Sequence, residues 1–210
     1  MIDVTKEDWH RSAIGGKWDE LGKLQFDFLV SKGLSPESTL LDIGCGSLRG
    51  GVLFAGYLNK GNYYGIEKEE ALIVAAKEKE IPFYNLESKN LNLYNIDNFN
   101  LNSIDLRIFF DYMLAQSVFT HILPEEIEVC LASVMPRLKE NGVFFATIKT
   151  GNKADFGEEH RWRRNERSVT RYPFEMFQEI AEKLKIGVEY IGDWGHPRDQ
   201  KMLSFYNKDK

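Results

Sequence analysis

The stretch at residues 39–51, TLLDIGCGSLRGG, limits what this chain can fold into more than any other. Three apolar or β-branched residues run into Asp42, and Gly44, Gly46, Gly50 and Gly51 follow. The pattern reads as a short buried strand that breaks into a glycine-rich turn and then a helix. Glycines remove Cβ atoms, so a ligand can lie directly against the backbone, and the helix behind the turn offers N–H groups with no partner of their own. Asp42, at the carboxyl end of the strand, faces the crevice in which open α/β sheets bind nucleotide-like ligands. Residues 62–67, NYYGIE, read as the next parallel strand and end in Glu67, 25 residues after Asp42. An acid there accepts hydrogen bonds from ribose hydroxyls. The dinucleotide fingerprint is not met, because it needs a third glycine at position 49, which is Arg49.

A length of 210 residues suits one well-buried domain and is short for two. The net charge of −5 gives no general attraction to nucleic acid or to an anionic membrane. Cys45 and Cys130 form neither a zinc spacing nor a disulfide framework. The first residues, MIDVTKEDWHR, lack a signal-peptide core, and no apolar run approaches membrane-spanning length. A cytoplasmic protein is expected.

Residues 1–18 carry Trp9 and Trp18 around Gly15-Gly16, which makes either a mobile flap with bulky anchors or a plain arm packing its tryptophans on the domain. A helix begins near Asp19 with Leu21, Leu24, Phe28 and Leu29 inward, and Gly33 can end it. Short helices are expected at 52–58 and 69–80, and a weak third strand at 82–86. Residues 110–115 are almost continuously apolar, as in a central strand covered on both faces. Pro124 can open the next helix, with Glu125 and Glu126 complementing its dipole; Ile127, Cys130, Leu131, Val134 and Leu138 recur at helical spacing. Asn141-Gly142 then turns the chain into a fifth strand at 143–148. Residues 149–171 show no apolar periodicity, and a connector of that length calls for a reason. It holds His160, Arg161, Arg163, Arg164, Arg167 and Arg171. A last helix starts at Pro173, and strands at 188–194 and 202–206 close the chain around the turn at 195–200.

The run hhD-x-G-x-G-x-x-x-G with a later acid resembles motifs I and II of the class I S-adenosylmethionine (SAM) methyltransferases. The resemblance covers essentially the whole chain. It implies an α/β, Rossmann-like seven-stranded sheet in the order 3-2-1-4-5-7-6 with helices on both faces. One domain over 1–210 is implied, with an N-terminal flap and helix at 1–35 and an acceptor-side insert at 149–171. SAM is the implied cofactor and S-adenosylhomocysteine the product. The motif places Asp42, Ile43, Gly44, Cys45 and Gly46 under the methionine part, and Glu67 with Lys68 at the ribose. The loop of Ala115, Gln116 and Ser117 passes beside the methyl group, and Lys17 and Trp18 approach from the flap. The adenine edge is read just after the third strand, where Glu87, Ser88, Asn90 and Asn92 are all candidates. The segments IGGKWDELG, LLDIGCGSLRGG, LAQSVFTHI and WGHPRDQKML look like a small bacterial subgroup of methyltransferases often associated with surface-polysaccharide genes.

Methyl transfer from a sulfonium is an in-line displacement, so positioning supplies much of the rate. An oxygen nucleophile also gains from a general base, most often His. His121 follows the implied SAM loop; it either faces the acceptor or bonds backbone at a helix start. His160 lies in the insert, above the implied acceptor pocket. His196 contacts the acceptor or stabilises its own turn. Arg161, Arg163, Arg164, Arg167 and Arg198 suit an anionic acceptor, because the guanidinium fork bonds carboxylate or phosphate bidentately; alternatively, Glu158, Glu159 and Glu166 neutralise a solvated face. No metal is expected: the loop after the fourth strand offers Gln116 and Ser117, and Asp111 stands at the wrong end of its strand. The reading is methyl transfer to a small or saccharide-like anionic acceptor at oxygen, with no nucleic-acid or membrane partner and an oligomeric state the sequence leaves open. The rivals are an RNA or tRNA methyltransferase using the arginine segment, against which stand the acidic charge and the lack of a nucleic-acid module, and a catalytically silent SAM-fold binding protein.

Overall fold

The computed structural model describes residues 8–101, 108–151 and 170–208. The chain packs as two compact units, Met1–Asn98 and Phe99–Lys210.

The first unit begins with α1 (Trp9–Ala13) and α2 (Trp18–Ser31). Then come β1 (Leu40–Ile43), α3 (Gly51–Tyr57), β2 (Tyr63–Glu67) and α4 (Glu70–Ala75). β1 is buried throughout and pairs in parallel with β2, Leu40 beside Tyr63 and Ile43 beside Ile66. The buried face of α2 is Trp18, Leu21, Gly22, Gln25 and Leu29. It thus includes two residues that hydrophobic spacing does not pick out, while Leu24 and Phe28 are half-buried. Gly22 is required by contact: a Cβ there would lie 2.5 Å from the carbonyl oxygen of Arg49.

The third strand is not at 82–86. Pro82 and Phe83 belong to the end of a helix, in which a π-helical turn at Ala76–Glu80 leads into α5 (Ile81–Phe83), and residues 84–86 turn away from it. Pro82 has no N–H to give to the preceding turn, and the helix widens just before it. Phe83, read as a strand residue, is 69% exposed. β3 is Asn92–Asn95, at the edge of the sheet, parallel to β2 with Asn92 beside Tyr64. An edge strand is covered less than a central one, so its polar sequence hid it; Asn92 Nδ2 donates to the carbonyls of Gly61 (3.0 Å) and Tyr63 (3.3 Å).

The second unit holds β4 (Phe110–Ala115), α6 (Pro124–Val134), β5 (Leu138–Ile148), α7 (Phe174–Leu184), β6 (Ile186–Asp193) and β7 (Lys201–Asn207). Leu138 opens β5 rather than extending the face of α6, since Pro136 tightens the helix end into a 3₁₀ turn at Met135–Arg137. The expected turn at 141–142 is an irregularity within β5: Leu138 pairs with Phe110, and pairing resumes at Val143 with Tyr112. Gly142 permits it, because a Cβ would lie 2.9 Å from the Phe110 carbonyl. β4 and β5 are parallel, while β7 is antiparallel to both β5 and β6. The core is aromatic. Phe119, Phe144, Phe177 and Phe205 are fully buried, with Phe119 and Phe144 edge-to-face at 6.0 Å and the rings of Phe144 and Phe205 tilted at 5.7 Å.

Together the strands form a seven-stranded sheet in the order β3-β2-β1-β4-β5-β7-β6, the order expected above. Among the described residues, no helix is long and apolar enough to cross a membrane.

Candidate functional site

In the first unit the glycine turn is built around Glu67. β1 ends at Ile43, and Gly44 and Gly46 take left-handed backbone, with φ of 69° and 56°, which glycine adopts without a Cβ penalty. This lets the N–H groups of Gly44 and Cys45 converge on the Ile66 carbonyl at 2.8 and 3.1 Å. Gly46 N–H donates to Glu67 Oε2, and Glu69 N–H to Oε1, each at 3.0 Å. Burial pushes the Glu67 carboxyl up, and the N–H bonds of Glu69, Gly46 and Lys68 oppose that shift. Cys45 Sγ lies where a Cβ on Gly65 would meet it at 2.8 Å.

Asp42 is buried and accepts from the Tyr63 hydroxyl at 2.8 Å. Burial pushes its carboxyl up to about 7; the Tyr63 bond and the Arg49 charge work against this, and the Glu67 charge adds to it. A carboxyl in this state exchanges its proton near neutrality, and a cationic ligand would favour its charged form.

The N-terminal arm is fastened to the same turn. Arg49 Nη1 donates to the carbonyls of Ile14 and Gly16, both at 3.0 Å. Buried Glu80 accepts from His10 Nε2 and from Arg11 Nε at 2.7 Å. Gly15 and Gly16 both have positive φ, 93° and 63°. Ile14 covers the glycine turn: a Cβ on Gly46 would lie 2.9 Å from its Cγ2. Trp18 Nε1 donates to the Tyr84 hydroxyl at 3.0 Å under the Arg11 guanidinium, and exposed Lys17 pairs with Glu20 at 2.6 Å. Hydrophobic spacing gave no sign of Ile14; its place beside Gly15-Gly16 was the available signal.

In the second unit a buried polar network surrounds the loop after β4. Ala115 ends the strand, and Ser117 follows Gln116 at φ 60°. Ser117 N–H donates to Thr147 Oγ1 at 2.7 Å; Thr147 Oγ1 donates to Gln200 Oε1 at 2.8 Å, and Gln200 Nε2 to Ser117 Oγ at 2.7 Å. The Gln116 carboxamide lies 3.2 Å from His196 Nε2. Gln116, Thr147, His196 and Gln200 are all buried. His196 stacks on Trp194 at 5.4 Å and accepts from the Arg198 N–H at 3.2 Å. Thr147 and Gln200 were not singled out from the sequence, because a threonine ending an apolar strand and a glutamine in a polar turn look ordinary.

His121 is half-buried in the turn before α6, its N–H bonded to the Val118 carbonyl at 2.9 Å. The neighbouring Thr120 carbonyl accepts from Thr170 N–H at 2.9 Å, and Tyr172 N–H donates to the Lys149 carbonyl at 2.9 Å. Thr150 and Tyr172 form a β-bridge. The segment expected on the acceptor side therefore leaves and returns at one place, next to His121. His160, Arg161, Arg163, Arg164 and Arg167 lie outside the described residues.

Thus Asp42, Gly44, Cys45, Gly46 and Glu67 come together in the first unit, with Ile43 at the end of β1 and exposed Lys68 giving its N–H to the Glu67 carboxylate. In the second, Gln116, Ser117, His196 and the Arg198 N–H come together. With β3 relocated, Glu87 and Ser88 fall in a 3₁₀ turn before it, Asn90 follows that turn and Asn92 opens the strand. Buried Ile96 and then exposed Asp97 follow the strand.

Residues 41–144 match a family model described as a methyltransferase domain. Among solved structures, the chain resembles a magnesium protoporphyrin IX methyltransferase from Synechocystis with bound SAM, at 14% identity over 90% of this chain and 81% of that one, TM-score 0.64. It also resembles a SAM-dependent methyltransferase from Clostridium acetobutylicum, at 11% identity over 94% and 95%, TM-score 0.67. A third likeness is the glycopeptide N-methyltransferase MtfA, at 12% identity over 91% of each chain, TM-score 0.65. At these identities the likeness establishes the shared fold.

Proposed function

We infer that this chain, whose residues 41–144 match the model of a methyltransferase domain, is a SAM-dependent methyltransferase that acts on a small acceptor. SAM is the methyl donor and S-adenosylhomocysteine the product. The observation that carries the reading is the glycine turn closed on Glu67, whose carboxylate is held by the N–H groups of Gly46 and Glu69. In this reading Glu67 accepts from the ribose hydroxyls with Lys68 beside it. Asp42, Ile43, Gly44, Cys45 and Gly46 line the methionine part, and Lys17 and Trp18 approach with the arm. Ala115, Gln116 and Ser117 form the loop at the methyl group, and Asp97 takes the adenine-reading role first sought at 87–92. Two buried free thiols, Cys45 and Cys130, accord with a reducing, cytoplasmic setting.

The acceptor in this reading is small or saccharide-like, anionic, and methylated at oxygen. Its support is the pinned insert. A long polar segment rich in arginine is fastened at both ends next to His121. Arg161, Arg163, Arg164, Arg167 and Arg198 then hold negative charge on the acceptor, with His196 nearby in its turn, and His121 or His160 takes the proton from the attacking oxygen. The neighbours' own substrates, a protoporphyrin and a glycopeptide, fit a small-molecule acceptor and leave the atom open to test.

Steady-state kinetics at saturating SAM, on a panel of anionic sugars and small acids, tests the acceptor side. Single Arg→Ala changes at 161, 163, 164, 167 and 198 are expected to raise the acceptor KM by about 10-fold or more, the loss of one charged hydrogen bond, while SAM binding stays unchanged. If every variant keeps its acceptor KM, the segment is a solvated surface and the anionic acceptor is wrong.

A further inference from the structure

We propose that His196 is a positioning residue: its ring, fixed as the Nε2–H tautomer, sets the direction of the hydrogen-bond chain that holds Ser117 in left-handed backbone. The inference rests on the reading that the loop after β4 meets the methyl donor.

The argument starts from the turn. Arg198 N–H donates to His196 Nδ1 at 3.2 Å. That nitrogen therefore presents a lone pair, and the proton of the neutral ring is on Nε2. Nε2 lies 3.2 Å from the Gln116 amide nitrogen. Two N–H donors cannot share that line, and the amide's two ends exchange places by a half-turn. Gln116 accordingly meets Nε2 with its oxygen. The same end of the amide is 2.6 Å from Ser117 Oγ, so the serine hydroxyl donates to that oxygen as well.

With this choice each of the following five bonds has one donor and one acceptor; the Ser117 hydroxyl turns to Gln116 from Gln200 Oε1, 3.0 Å away, and the 3.5 Å contact of that amide end with Gln200 Oε1 is no longer a hydrogen bond. Ser117 N–H donates to Thr147, Thr147 to Gln200, Gln200 to Ser117 Oγ, Ser117 Oγ to Gln116, and His196 to Gln116. The chain closes on Ser117, the residue whose φ of 60° is unfavourable for a side chain other than glycine. Strained backbone persists where its surroundings over-determine it, and here a backbone N–H and a side-chain hydroxyl of one residue are both held. Trp194 stacks on the His196 ring, and its Nε1–H bonds the Gln200 carbonyl at 3.0 Å; the same turn thus fixes both His196 and Gln200. In this arrangement Nδ1 serves the Arg198 N–H, and His196 orients the loop rather than taking the acceptor's proton.

Two measurements on the full chain test this. In a protein labelled with ¹⁵N-histidine, the His196 ring, assigned by its loss in His196→Gln, is expected to be neutral with the proton on Nε2, with and without S-adenosylhomocysteine. In calorimetry with S-adenosylhomocysteine, His196→Leu should weaken binding by about 10-fold, and His196→Gln, which keeps an N–H near Nε2, should stay within about 3-fold of wild type. An Nδ1–H tautomer or an imidazolium overturns the inference alone. So does a leucine variant that binds like wild type, or a glutamine variant no better than leucine. If the leucine protein does not fold, the tautomer and the glutamine variant decide. Absence of binding by wild type overturns the donor-binding reading and takes this inference with it.

Discussion

Asp42→Asn is expected to make the ligand-free protein more resistant to urea at pH 8 while leaving it near wild type at pH 4. The Asp42 carboxyl rises from an ordinary 3.8 to about 7 on folding, chiefly through burial. A folded-state pKa above the unfolded one means that the group's contribution is fully present below about pH 4 and is lost as pH rises through 7. A shift of this size corresponds to roughly 4 kcal/mol, of which about 3 falls between pH 5 and pH 8. Asparagine does not titrate and keeps an oxygen for the Tyr63 hydroxyl. The gap between variant and wild type should therefore widen by roughly 3 kcal/mol over that range. Glu67 titrates in both proteins and enters the comparison only through its charge coupling with Asp42. Parallel pH profiles would show that Asp42 is already ionised in the folded chain. Function follows from the same proton. A donor carrying positive charge favours the ionised carboxylate, so wild-type affinity for SAM should rise from pH 6 to pH 8, and that rise should be absent in the asparagine variant.

The second large effect is on turnover. Replacing the general base should lower kcat by about 10²–10⁴-fold, with the acceptor KM nearly unchanged. The residues proposed for it are His121 and His160. The turn of His121 is tied through Thr120 to Thr170, at the returning end of the insert. His121→Ala and His160→Ala, assayed with SAM saturating, separate the two. If neither loses turnover, the acceptor is methylated without a side-chain histidine base, and oxygen chemistry at this site loses its support.

The readable parts of this chain are those in which one residue type has one physical use. Gly44 and Gly46 at positive φ, Glu67 at a strand end, and the apolar run of β4 each leave a local mark, and the strand order came with the family resemblance that these motifs carry. The misread parts are those in which local pattern and tertiary contact disagree. Residues 82–86 look like a strand because they are apolar, yet Pro82 and Phe83 finish a helix that has widened through a π turn, and the chain turns after them. β3 looks like a loop because an edge strand needs little apolar surface. Leu138 keeps helical spacing past the point where Pro136 ends the helix. Gly22 and Gln25 are buried on α2 by the approach of Arg49 and Gly50, which nothing in the local sequence signals. Arg49 Nη1 holds the carbonyls of Ile14 and Gly16, a contact the local sequence does not signal. The network of Gln116, Ser117, Thr147, His196 and Gln200 joins residues up to 84 positions apart, so only the folded chain brings it into view.

Calorimetric titration with S-adenosylhomocysteine tests the central claim most directly, because it needs no acceptor. Wild type should bind one equivalent. Glu67→Ala, checked by its melting curve to be folded, should bind more weakly by about 1.5–3 kcal/mol, the loss of charge-assisted hydrogen bonds to the ribose, or roughly 10- to 150-fold in Kd. Glu67→Gln, which retains an acceptor oxygen for the Gly46 N–H, should fall between the two. No heat of binding and no shift in melting temperature with wild type, or an unchanged Kd in the folded Glu67→Ala protein, would contradict the account.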